Sequence, residues 1–95
     1  MYCFSNNLEY FISDINTICE DKGAISLLDE KSCKDAVEEI KNTRPGTYFD
    51  SSSADSDYPK GCYLYNEGND VYLNPRETGA KSYYARPICK ISNGK

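Results

Sequence analysis

Cys62-Tyr63-Leu64-Tyr65-Asn66-Glu67-Gly68-Asn69-Asp70-Val71-Tyr72-Leu73 is the stretch on which the fold turns. Two short runs rich in β-branched and aromatic residues flank Asn66–Asp70, whose Asn, Gly and Asp are turn formers, so the stretch reads as a hairpin. Side chains alternate across a strand. Cys62 and Leu64 therefore share one face and Tyr63 and Tyr65 the other, while Val71 and Leu73 oppose Tyr72. The hairpin then has an apolar side that asks for a cover and an aromatic side that does not mix with it.

Working back towards the N-terminus, residues 50–57 (Asp-Ser-Ser-Ser-Ala-Asp-Ser-Asp) read as a polar loop. Before that loop lies the cover. Cys33, Ala36, Val37 and Ile40 fall at i, i+3, i+4 and i+7, one narrow helical stripe. Asp29 can cap this helix, Glu30 and Lys41 suit the two ends of its dipole, and Pro45-Gly46 ends it. Residues 6–19 fit two descriptions. Leu8, Phe11, Ile12, Ile15 and Ile18 lie on one helical face after an Asn6/Asn7 cap, and Tyr10-Phe11-Ile12 suits a short strand before Ser13-Asp14. Periodicity cannot separate the two, and we read a strand. Working forward, the loop of residues 74–80 leads to a last strand across Tyr83–Ile91. The expected architecture is α+β: one helix on a short antiparallel sheet, with residues 1–18 as an N-terminal segment, 19–91 as the stapled domain and 92–95 as a tail.

Composition explains why a staple is needed. Leu, Ile, Val and Phe number 17 of 95 residues. That is too little apolar area to offset conformational entropy comfortably. Nine tyrosines and five cysteines make up the difference, since small domains with thin cores rely on covalent links worth roughly 2–4 kcal/mol each. Cys19, Cys33, Cys62 and Cys89 contain no CxxC pair and the chain has no histidine, so a zinc site has little support. Four cysteines allow three pairings. Geometry favours Cys33–Cys62, helix to sheet, with Cys19–Cys89 tying the ends, and Cys3 is left over. Disulfides place the chain in an oxidising, extracellular setting. Met1–Asn7 has neither the basic nor the apolar region of a signal peptide, so the expectation is a mature or truncated chain.

The order Cys19, Gly23 and Ile25, Cys33 with Ala36, Pro59-Lys60-Gly61-Cys62-Tyr63, Val71-Tyr72-Leu73-Asn74, Gly79 and Pro87-Ile88-Cys89 resembles a short extracellular module of microalgae and other protists. The likeness spans roughly residues 19–90. Pro-Lys-Gly-Cys-Tyr followed by Val-Tyr-x-Asn is its most specific part, and Leu73 stands where Phe is more usual. The helix-on-sheet plan is also similar to the apple/PAN group. The resemblance implies secretion and four paired cysteines, and it transfers no activity or functional residue.

Absent histidine removes the commonest general base and every Ser-His-Asp or Cys-His arrangement. There is no phosphate-binding glycine loop, so we expect no enzyme and no cofactor. Net charge −4 with interspersed signs argues against nucleic acid, and no apolar run is long enough to insert in a membrane. Asp50, Asp55 and Asp57 do not follow the spacing of a calcium loop and read as solvated. The tyrosines are the remaining signal. Tyr63, Tyr65 and Tyr72 stand on the face away from the helix, and Tyr84 and Arg86, opposite Cys89 in the last strand, are expected to join them. Such a face suits docking on a protein partner or self-assembly. The alternatives are a carbohydrate-binding module using the same rings with Asn74 and Arg76, or a secreted inhibitor or toxin-like domain acting through the loop of residues 74–80.

Overall fold

The computed structural model describes residues 9–92; the expectations about Cys3, the Asn6/Asn7 cap and most of the C-terminal tail lie outside them. One helix, α1 (Glu30–Ile40), packs on a sheet of six strands: β1 (Tyr10–Ile12), β2 (Ile25–Ser26), β3 (Tyr48–Ser52), β4 (Gly61–Tyr65), β5 (Asp70–Asn74) and β6 (Ala85–Lys90). A short 3-10 turn, Cys19–Lys22, precedes β2. The class is α+β as expected, but the sheet is larger and mixed. Its order is β1-β6-β4-β5-β3, and β2 pairs with β6 beyond the end of β4.

The helix follows its local signals. The Asp29 carboxylate accepts from the Ser32 backbone N–H at 2.9 Å and from its hydroxyl at 2.9 Å, satisfying a donor that the first helical turn leaves orphaned. Those hydrogen bonds hold the Asp29 carboxyl below the usual aspartate range. Cys33, Ala36, Val37 and Ile40 are buried and meet Leu64, Val71, Leu73 and Ile88 of the sheet. Lys41 falls just past the last helical turn as the C-cap residue, and no basic residue sits within that turn. β1 is a strand, as read, and the Glu39 carboxylate of α1 accepts from the backbone N–H of Tyr10 at 3.2 Å.

Both expected disulfides are present, Cys33–Cys62 and Cys19–Cys89. The first joins helix to sheet. The second lies on the other side of the sheet, where Cys19, Ala24 and Cys89 form a small second cluster under Phe11. Two disulfides fit an oxidising compartment. No described helix is long and apolar enough to cross a membrane.

Three elements differ from the sequence reading. Residues 50–52, read as loop, belong to β3, which pairs in parallel with β5. A bulge between Phe49 and Ser51 breaks its alternation: Phe49 lies opposite Val71 but Ser51 opposite Tyr72. One extra residue thus sends Phe49 to the helix side and Ser51 to the tyrosine side. β2 is only two residues long and is set by tertiary contact. Its follower Leu27 crosses the start of β4 so closely that a Cβ on Gly61, at φ +87°, would lie 2.9 Å from the Leu27 carbonyl oxygen. The last strand begins at Ala85, with Tyr83 and Tyr84 in the turn before it.

Candidate functional site

β4 and β5 set Tyr63 directly opposite Tyr72, and their ring centroids are 5.9 Å apart. Tyr65, two residues along the same face, meets Tyr72 edge-on at 5.9 Å. A fourth ring arrives from the loop before β4. Tyr58 stacks on Tyr63 at 5.4 Å with planes 5° apart and meets Tyr65 edge-on at 5.9 Å. Offset-stacked and edge-to-face pairs are the arrangements that aromatic quadrupoles favour.

Asn74 holds the fourth ring in place. Its side chain is fully buried. Its amide donates to the carbonyls of Asp55 (2.6 Å), Tyr58 (3.1 Å) and Pro59 (3.2 Å), and its oxygen accepts from the Asp55 N–H (3.1 Å). One side chain therefore gathers the loop of residues 55–59 onto the end of β5. The next loop presses on the same segment: Ala80 N–H donates to Tyr58 O at 2.9 Å, and a Cβ on Gly79 would run into that same oxygen.

The result is an open cleft of about 360 Å³ lined by Ser51, Ser53, Asp55, Tyr58, Tyr63, Tyr65 and Tyr72. Tyr63 is 6% exposed, whereas Tyr58, Tyr65 and Tyr72 are half-buried. Burial, followed by the neighbouring Tyr58 and Asp55, pushes the Tyr63 hydroxyl well above the ordinary tyrosine range. The Tyr72 hydroxyl donates to Asp70 at 2.9 Å, and this bond, followed by desolvation and the negative charges of Asp70 and Asp50, raises its pKa to about 12. Tyr58 is also raised, chiefly by the adjacent Tyr65 hydroxyl.

Sequence reasoning brought Tyr63, Tyr65 and Tyr72 together correctly but assigned them one exposure. Tyr63 belongs largely to the interior of the face, because Tyr58 lies over it. Arg86 is a correction. It pairs with Leu64, while Pro87 pairs with Tyr63, so Arg86 points to the helix side. The sequence reading sets Cys89 on the helix side, but it shares the tyrosine side, bonded to Cys19. The Arg86 guanidinium donates to Ser13 O at 2.9 Å and lies 3.6 Å from the Glu67 carboxylate, bridging two loops. Tyr84 is exposed in the turn before β6 and does not line the cleft. Asn74 is a buried tether rather than a ligand-facing group. Arg76 is exposed, with Nε donating to Thr78 O at 3.4 Å, and it too is outside the lining.

Tyr58, Asp55, Ser51 and Ser53 were missed. The aromatic pair Tyr48-Phe49 is the signal from which a strand reaching Ser51 could have been read. Nothing local signalled that Tyr58 would fold back on Tyr63, since that depends on Asn74, 16 residues away. Comparison of the chain with family profiles, curated proteins and solved structures returned no match.

Proposed function

We propose that this is a non-catalytic recognition domain of an extracellular or other oxidising setting, which docks a protein partner by taking part of it into the tyrosine cleft. The observation that carries this reading is the contrast within the ring cluster. Tyr63 is covered, yet Tyr65 and Tyr72 are left half-open in a cleft whose wall is fixed by the Asn74 hydrogen bonds. Rigid amphipathic rings with few rotors lose little entropy on contact and are enriched at interfaces. A volume of about 360 Å³ suits one or two side chains of a partner rather than a whole helix. The two disulfides support secretion.

Concavity favours a second reading, a glycan stacked on the rings with Ser51, Ser53 and Asp55 as hydrogen-bonding groups. A displayed peptide library and a glycan array, each probed with the oxidised protein, separate the two. On the first reading peptides are selected, and Tyr65→Ser with Tyr72→Ser abolishes their binding while the protein stays folded. Ligands that ignore both substitutions would place the site elsewhere and end this proposal.

A further inference from the structure

Resting on the cleft as the binding site, we propose that the group it accepts is a basic side chain, the ammonium of a lysine or the guanidinium of an arginine on a protein partner. The cleft is lined by four tyrosine rings and one carboxylate, Asp55, and its lining contains no lysine or arginine among the described residues. Aromatic faces carry negative potential, so rings around a concavity attract a cation. Asp70 stands at the edge, fixed by the Tyr72 hydroxyl at 2.9 Å. The carboxylates that bear on the Tyr58, Tyr63 and Tyr72 hydroxyls are those of Asp50, Asp55, Asp57 and Asp70.

Among the described cations, Lys60, Lys81 and Arg86 are engaged elsewhere. Lys60 lies 3.5 Å from Glu20, Lys81 3.0 Å from Asp21, and Arg86 is on the opposite side of the sheet. An anionic ligand would meet uncompensated repulsion, and a neutral one would have no use for the field. A divalent metal would need several oxygen ligands, and the lining offers one carboxylate. A lysine or arginine supplies what the rings and carboxylates lack. Its alkyl stem packs on Tyr65 and Tyr72 while its charged head faces Asp55 and Asp70.

The test is an NMR titration of the full, oxidised chain with N-acetyl-lysine methylamide and N-acetyl-arginine methylamide. N-acetyl-norleucine methylamide and methyl β-glucoside serve as neutral probes. The expected result is that the cationic probes move the ring signals of Tyr65 and Tyr72 and the amides of Ser51 and Ser53. Added salt should weaken this, as screening of an exposed site requires. Asp55→Asn, which keeps a side-chain oxygen to accept the Asp57 N–H, should weaken cation binding by about two- to fivefold, the worth of an exposed ion pair. Norleucine or glucoside moving the same signals as strongly would overturn the cation inference and leave the cleft standing as a site. If no probe moves any cleft signal, both the inference and the cleft reading fall.

Discussion

The two faces of the sheet are built by different means. On the helix side Leu64, Val71, Leu73 and Ile88 are each at most 3% exposed, and they meet a stripe of small and aliphatic residues from α1. This face closes by apolar burial, which is non-directional and seals wherever volumes fit. The other face carries the Cys19–Cys89 cluster at one end and four tyrosines at the other. There the closure is directional, made by ring geometry and by hydrogen bonds from one asparagine. Directional closure can stop part-way. It covers Tyr63 and leaves Tyr65 and Tyr72 half-open, which is how a domain with a thin core can hold a cleft without unfolding around it.

The largest effects should come from the two staples, one for each face. Cys33–Cys62 spans 29 residues and Cys19–Cys89 spans 70. Closed-loop entropy puts their loss at about 3.5 and about 4.5 kcal/mol respectively. Urea unfolding of Cys33→Ala/Cys62→Ala and of Cys19→Ala/Cys89→Ala checks both values. If removing the bond on the tyrosine side were nearly neutral, that side would not depend on its staple and the comparison would break.

Next in size is Asn74→Ala. It leaves the buried Pro59 carbonyl and the Asp55 carbonyl without their amide donor and the Tyr58 carbonyl with only the Ala80 N–H, at a cost of about 2–3 kcal/mol. It should also release Tyr58, so that Tyr63 becomes reactive to a tyrosine-modifying reagent. A stable variant with Tyr63 still protected would show that ring stacking alone holds the loop.

A smaller effect concerns pH. Tyr72 is raised to about 12 and Tyr63 is raised further. Folding therefore favours their protonated forms. The stability linked to them is complete below the unfolded value of about 10 and is lost as pH rises through the folded values. Phenolate absorbance followed with circular dichroism should show some tyrosines ionising only as the fold is lost. Titration of every tyrosine near pH 10 with the fold intact would contradict the burial of the ring cluster.

What could be read from the sequence was what local chemistry determines. The α1 stripe, the Asp29 cap, the β4–β5 hairpin and the alternation that groups Tyr63, Tyr65 and Tyr72 all follow from spacing. The disulfide pairing followed from placing Cys33 on the helix stripe opposite Cys62. Hidden features depend on contacts distant in sequence. The β3 bulge, the two-residue β2 and the fold-back of Tyr58 have no periodic signature. Arg86 falls on the helix side because Cys89 does not face the helix. Its partner Cys19 sits instead on a 3-10 turn across the sheet, and this reverses the faces of the whole last strand.

The division of the ring cluster is tested most directly by urea unfolding of Tyr63→Ser and Tyr65→Ser under identical conditions. Tyr63 is 6% exposed beneath Tyr58, so Tyr63→Ser should cost about 3 kcal/mol, as for other large-to-small changes in a packed interior. Tyr65 is half-buried at the cleft, and Tyr65→Ser should cost about 1 kcal/mol or less. Equal losses from the two substitutions would mean that all the rings serve the fold and that none is held open for a partner.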